Sequence, residues 1–351
     1  MSTHAPSPLI IEDLTKVHLK PLDGLRGLAV LLVMFYHYGL LHPDSHGPQA
    51  GAILKTLHAG WVGVDLFFVL SGFLITGILL ATRTQEHYFR NFLARRFLRI
   101  WPLYYANLVV FILIAPLFMN PLPVELQNMA DKQDWFCLYA ANWLYAIEGG
   151  FNQTSGGYFW SLAVEEQFYL IWPFVIFALS KRSILRLSLG LLAASLTCRI
   201  ILGALDINTN ALYTMTFTHW DGLAVGAILA VCYQSENMVR PLARIAPYVA
   251  ATSLLMVLSI WFIEGDAFFW GYYTALYGYT LIAIFFGSIL LLSLNAQQSS
   301  LWRTILQTPY LRTVGKFSYA LYMIHVPIAA AVTPLLLRLL EAAGLRGNLG
   351  F

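Results

Sequence analysis

The string LDGLRGLAVLLVMFYHYGLL sets Arg26 and His37 eleven residues apart. On an α-helix, at about 100° per residue, the two side chains share a face to within about 20° and lie about 16 Å apart along the axis. An imidazole titrates near neutrality and suits a general base for a hydroxyl nucleophile. A guanidinium at the other end of such a stripe suits a phosphate, and the separation is similar to an extended pantetheine arm. The plainer reading makes Arg26 a positive-inside anchor and His37 an interfacial residue. These two residues alone do not choose between the readings.

Further ionisable groups stand in apolar surroundings. GWVGVDLFFVLSGFL carries Asp65 near its start and Ser71 further on. The carboxylate would orient an imidazole at similar depth, or simply favour a helix N-terminus. RNFLARRFLRIWP gathers Arg90, Arg95, Arg96 and Arg99, with Arg96 and Arg99 at i, i+3 on one face. Such a pair would clamp the phosphates of coenzyme A, or bind anionic lipid. YFWSLAVEEQFYLIWP sets Ser161, Glu165 and Tyr169 at i, i+4, i+8, with Glu166 adjacent. Two carboxylates two turns into an apolar segment suit acid–base work; pairing with Arg199 is the structural alternative. HWDGLAVG brings His219 and Asp221, and GKFSYALYMIHVP brings His325; a lone histidine on a helix is more often a satisfied packing residue than a catalyst. His42, His46 and His58 read as solvated loop rather than metal ligands. Cys137, Cys198 and Cys232 are far apart and lack zinc or disulfide spacing.

The elements that hold these groups follow from composition. Of 351 residues, 58% are hydrophobic and 11% charged, against about 25% charged in ordinary soluble domains. Lipid must cover much of the outside. Apolar stretches near the ~20 residues that cross a bilayer recur at Gly24–Leu41, Trp61–Ala81, Phe97–Phe118, Tyr158–Ser180, Ile184–Leu205, Met215–Cys232, Pro247–Ile263, Gly271–Leu294 and Val314–Leu339. Backbone groups in lipid must bond internally, so the segments are helices and the fold class is all-α, a polytopic membrane bundle. A shorter stretch, Trp135–Ile147, reads as a re-entrant or interfacial helix or a tenth span. The loop around Met119–Gly157 is long enough to shape an acceptor entrance.

With the N-terminus in the cytoplasm and nine alternating spans, 16 of the 21 Lys and Arg residues fall on the cytoplasmic side, a strong positive-inside pattern. Residues 1–20 read as a cytoplasmic tail, 21–340 as one transmembrane domain and 341–351 as a C-terminal tail. The first apolar helix lacks a cleavage site and reads as an uncleaved signal-anchor. Nothing suggests nucleic acid as a partner. Basic residues thus line the inner face while His37, Asp65, Glu165, Glu166 and Asp221 gather in the outer half. That asymmetry suits an anionic donor taken from inside with chemistry towards the outside. A proton-coupled transporter of a sugar or anionic substrate would use the same groups, with an inverted repeat that the sequence does not display.

Six strings in order, LDGLRGLAVLLVMFYH, GVDLFFVLSGFLI, RRFLRIWPLYY, WSLAVEEQFYLIWP, DGLAVGAIL and KFSYALYMIHVPI, resemble the acyltransferase-3 family over about Leu22 to Pro327. These are integral-membrane O-acyltransferases of bacterial surface polysaccharides, antibiotics and related molecules. The resemblance implies an inner-membrane enzyme using acyl-CoA, often acetyl-CoA, without a metal, on a sugar, glycan or other hydroxylated acceptor. It points to Arg26 and His37 as essential and to Arg96 and Arg99, with Arg95 beside them, as donor-binding. It points also to Ser161 with Glu165 in the fourth long span. Asp65 and Glu166 join His37 as candidate catalytic groups, and Asp221, His325 and Tyr169 are candidate acceptor contacts. Many relatives carry a fused extracytoplasmic esterase-like domain; the chain ends at Phe351 without one. It is expected to act alone or to pass the acyl group to a separate extracytoplasmic protein. The family's usual ten crossings set the stretch Trp135–Ile147 against the count of nine.

Overall fold

The computed structural model describes residues 20–40, 58–151, 156–297 and 299–342, and His42 and His46 lie outside them. Every regular element among the described residues is helical. In chain order these are α1 (Lys20–Leu40), α2 (Gly63–Thr82, entered through a 3₁₀ turn at Ala59–Val62) and α3 (Tyr88–Val109, continued by a π turn to Phe118). Three short helices follow, α4 (Val124–Asp131), α5 (Gln133–Cys137) and α6 (Ala141–Glu148). Then come α7 (Phe159–Ala178), α8 (Lys181–Ala204), α9 (Thr209–Thr214), α10 (Asp221–Cys232) and α11 (Glu236–Glu264). The chain closes with α12 (Tyr279–Asn295, entered through a π turn at Thr274–Gly278), α13 (Leu301–Leu306), α14 (Pro309–Lys316) and α15 (Ser318–Ala342).

Among the described residues six helices are long and apolar enough to cross a bilayer, namely α2, α3, α7, α8, α11 and α12 with their entry or exit turns. α1, at 21 residues, and α15, at 25, have the length to cross as well. The protein is a multi-pass membrane protein. The expected span Met215–Cys232 takes a different form: a 3₁₀ turn at Thr216–Thr218, then α10 with 12 residues. A helix of that length rises about 18 Å, short of the ~30 Å hydrocarbon core. It needs no lipid match, because all its residues but Ile228 are buried in protein. In the expected short stretch, α5 and α6 are separated by Leu138–Ala140, and neither is long enough to cross.

Where each helix sits follows from how much of it lipid sees. In the most apolar window of α2, 72% is buried inside the protein, against 22% for α8 and for α11. α2 is therefore the central post, packed by α1, α7, α10 and α12. α8 and α11 lie outside and turn Leu189, Ile201, Leu255 and Phe262 outward. Two glycines let α2 and α10 touch along their backbones. A Cβ on Gly72 would stand 2.1 Å from the Leu223 carbonyl oxygen, and one on Gly226 2.2 Å from that of Val69. Close helix contact through small residues is a common way to bind helices where lipid removes the hydrophobic drive. The contact fixes the rotation of α2, and so decides which helices Asp65 and Ser71 face.

Replacing Gly226 by Leu should force α10 off α2. Overpacking a tight core costs about 1–3 kcal/mol where neighbours can yield, and more where they are backbone. The expected outcome is a fall of several degrees in the melting temperature of the detergent-purified protein, whereas Gly190→Leu, at a position open for 4 Å around, should leave it unchanged.

Candidate active site

Four of the helices that pack on or near α2 converge on a cleft with about 640 Å³ of empty space. α1 contributes Arg26, and one face of α3 contributes Arg96 and Arg99. α7 turns Ser161, Glu165 and Tyr169 into it, as their i, i+4, i+8 spacing requires. α2 supplies Ser71 and the apolar wall of Val64, Phe67 and Phe68, and α15 supplies Ser318, Tyr319 and Tyr322.

Glu165 is held by a short hydroxyl chain. Tyr169 donates to Ser71 Oγ at 3.1 Å, and Ser71 donates to Glu165 Oε1 at 2.6 Å. Arg26 stands 3.7 Å from Asp23 on its own helix. The Arg96 guanidinium lies over two rings, 5.3 Å from the centroid of Tyr169 and 5.7 Å from that of Phe92. Among the described residues no carboxylate comes within ion-pair distance of Arg96 or Arg99. Three cations therefore face a cleft whose lining contains one carboxylate, an arrangement that attracts an anionic ligand. Arg95 points elsewhere and does not line this cleft.

Glu166, next in sequence and so about 100° further round α7, turns away from the cleft. It is buried, accepting from Trp101 Nε1 at 3.4 Å, and it is absent from the cleft wall. The two adjacent carboxylates thus occupy separate environments.

His37 also lies beyond the cleft lining. Its Nδ1 is 2.9 Å from the Val33 carbonyl oxygen. A carbonyl can only accept, so Nδ1 carries the proton of the neutral ring and Nε2 keeps a lone pair. The neighbouring ring is His325, edge-on with centroids 4.7 Å apart. His325 is anchored in the same way, Nδ1 on the Tyr322 carbonyl at 2.6 Å. Its Nε2 has no hydrogen-bond partner among the described residues. One turn back, Tyr322 closes the cleft with a 2.6 Å hydrogen bond to Ser161 Oγ. The order along α15 is thus cleft, Ser161–Tyr322 bond, then the histidine pair.

Two expectations need correction. Asp65 does not meet His37; it lies 3.1 Å from His219 Nε2, inside a shell of Phe68, Trp160, Tyr213 and Tyr279. The glycine contact between α2 and α10 turns Asp65 towards α10 and away from α1. Asp221 is likewise committed, to Arg199, with bonds of 3.1 and 2.7 Å to its two oxygens. Arg199 is fully buried, and its five N–H donors find the two Asp221 oxygens and the acceptors of Leu276, Thr218 and Thr280. Thr280 also donates to Asp221. A guanidinium with every donor used is a lock between α8, α10 and α12, and leaves this carboxylate no free oxygen for an acceptor. It also excludes Arg199 as the partner of Glu165 or Glu166.

Sequence reasoning gave Ser71 little weight and passed over Tyr319 and Tyr322. The available signal was spacing: Tyr322 is three residues before His325 and so shares its face.

Fold and site together define a multi-pass helical membrane protein with an arginine-walled cleft and, beyond it, a pair of histidines of which His325 is buried. The family described as Acyltransferase domain matches residues 20–346, and the chain belongs to it. The peptidoglycan O-acetyltransferase OatA of Listeria monocytogenes is 30% identical over 341 residues, covering 92% of this chain and 51% of its own length. The O-acetyltransferase OatA of Staphylococcus aureus is 29% identical over 330 residues, with 90% and 51% covered. The putative peptidoglycan O-acetyltransferase YrhL of Bacillus subtilis is 28% identical over 336 residues, with 90% and 49% covered. The chain spans about half the length of these curated relatives. No solved structure matches significantly.

If Arg199–Asp221 is a lock, Arg199→Met alone should destabilise strongly, because removing one partner strands a buried charge at a cost of roughly 3–5 kcal/mol. Arg199→Met combined with Asp221→Leu should regain much of the lost melting temperature. A double variant no more stable than the single would contradict the assignment.

Proposed function

We propose that this protein moves an acyl group, acetyl in the simplest case, from acyl-CoA to a hydroxyl of a glycan. Peptidoglycan is the first acceptor to test, since that is what two of the named relatives are named for. The observation that carries the donor half is the cleft, where Arg26, Arg96 and Arg99 stand with a single carboxylate. Phosphates are the natural ligand of such a cluster, and guanidinium forks bind them with charge-assisted hydrogen bonds.

In this reading the donor's phosphates meet the arginines and its arm follows the cleft past Ser71 and Glu165. The thioester passes the Ser161–Tyr322 bond to reach the histidine pair. His37 Nε2 takes the acceptor's hydroxyl proton as that oxygen attacks the thioester carbonyl. The new C–O bond forms, the C–S bond breaks, and the thiolate leaves as coenzyme A once protonated. Val33 and His325 hold the ring for this, in the place expected of Asp65 or Glu165. The orientation supported by the 16 of 21 basic residues puts the N-terminus and the arginine cleft on the cytoplasmic side of the inner membrane. The acceptor, or a separate extracytoplasmic transferase that relays the acyl group, then approaches from the other side.

The test uses the purified full chain in liposomes with radiolabelled acetyl-CoA and peptidoglycan fragments. His37→Ala should lower turnover by about 10²–10⁴, the usual contribution of a general base. Arg96→Ala should raise KM for the donor roughly tenfold or more, the worth of a lost hydrogen bond to a charged group, with a smaller effect on kcat. Unchanged turnover by His37→Ala would end the base assignment.

A further inference from the structure

A second pocket opens beside the first, with about 500 Å³ of empty space between the last turns of α2 and the first turns of α3. The second pocket and the cleft are neighbours along α3. They have one lining residue in common, Arg96. Its guanidinium lies over Tyr169, which lines the cleft, and over Phe92, which lines the second pocket. A ligand whose anionic linker sits on Arg96 would therefore have one end in each.

The chemistry of the second pocket differs from that of the cleft. It lacks an acidic group and offers side-chain amides and rings: Gln85, Asn91, Tyr88 and Phe92, with Thr82 and Arg95 at its edge. Tyr88 is buried and fixed by its bond to the Pro173 carbonyl at 3.1 Å, so its ring is a rigid wall. Asn91 donates one bond to Glu86 and keeps its side-chain oxygen free of any partner among the described residues. Gln85 makes no side-chain hydrogen bond among them. An amide presents a donor and an acceptor side by side, the pattern that pairs with the edge of adenine, and aromatic rings offer faces to a base. Arg95 adds a cation for a ribose phosphate.

The geometry points to this second pocket as the seat of the donor's nucleotide end: adenine against Gln85, Asn91 and the aromatic wall, the pyrophosphate on Arg96, the pantetheine arm in the cleft. The inference rests on the acyl-CoA reading and adds to it a site that distinguishes a nucleotide-bearing donor from a bare pantetheine thioester. Arg96 is where the two half-sites meet, which fits a guanidinium held between two rings and, among the described residues, paired with no carboxylate.

The experiment compares the full-length wild type with Gln85→Trp, a change on an exposed turn that fills the pocket mouth without touching the cleft. Two readouts are taken in detergent: equilibrium binding of adenosine 3′,5′-bisphosphate, and KM for acetyl-CoA against KM for S-acetyl-4′-phosphopantetheine. The expected result is that wild type binds the bisphosphate and Gln85→Trp binds it at least tenfold more weakly. KM for acetyl-CoA should rise by a similar factor in the variant, with kcat and KM for the phosphopantetheine thioester unchanged. Equal bisphosphate binding by the two proteins, or an equal rise in KM for both thioesters, would overturn the subsite and leave the donor reading standing. Failure of the wild type to use either thioester would overturn the donor reading and the subsite with it.

Discussion

Positive charge held within a helical bundle is the constraint on which the rest of this protein turns. A cation in a low-dielectric interior must find a partner or be held where water or a ligand reaches it. The protein meets that demand in two opposite ways. At one locus Arg199 is sealed, every donor matched by Asp221 and three neutral acceptors. At the other, Arg26, 3.7 Å from Asp23, Arg96 and the exposed Arg99 line a cleft with Glu165 as the one carboxylate among its described lining residues. The first solution is structural because it leaves nothing over. The second leaves positive charge facing the cleft.

The two are mechanically joined through α2. Backbone contact at Gly72 and Gly226 fixes that helix against α10, whose first residue is Asp221, the anion of the lock. One side of α2 then presents Asp65 to His219, and another presents Ser71 to Glu165. The glycine contact therefore sets the rotation of the helix that steadies the carboxylate in the cleft, and the lock holds α10, its other half, against α8 and α12. α15 closes the system from its far side, with Tyr322 bonded to Ser161 and His325 edge-on to His37.

Much of this was legible in residue spacing. The i, i+4, i+8 stripe of Ser161, Glu165 and Tyr169, the i, i+3 pair of Arg96 and Arg99, and the placement of Arg26 near one end of α1 all gather on one cleft, because a helix translates spacing into direction. What spacing could not supply was the relative rotation of helices from distant parts of the chain. Asp65 was expected beside His37 on grounds of similar depth, but depth says nothing of azimuth, and Gly72 and Gly226 decided it. Asp221 and Arg199 stand out in the sequence as charges among apolar residues, yet only the fold shows them as partners. The shortness of α10 was hidden for a related reason: its apolar residues are apolar because protein surrounds them, and hydropathy cannot tell that from lipid. Tyr322 escaped notice because a tyrosine among apolar residues looks like packing until its hydroxyl is seen to close a cleft.

Whether the arginine cleft seats a phosphate-bearing donor is read most directly from a structure of the full chain in a lipid nanodisc with coenzyme A bound. Pyrophosphate density is expected within hydrogen-bond distance of Arg96, flanked by Arg26 or Arg99, with the pantetheine arm running along Ser71 and Glu165 towards Tyr322. Density for the cofactor's phosphates elsewhere on the protein, with the cleft empty or filled by lipid, would contradict the donor reading.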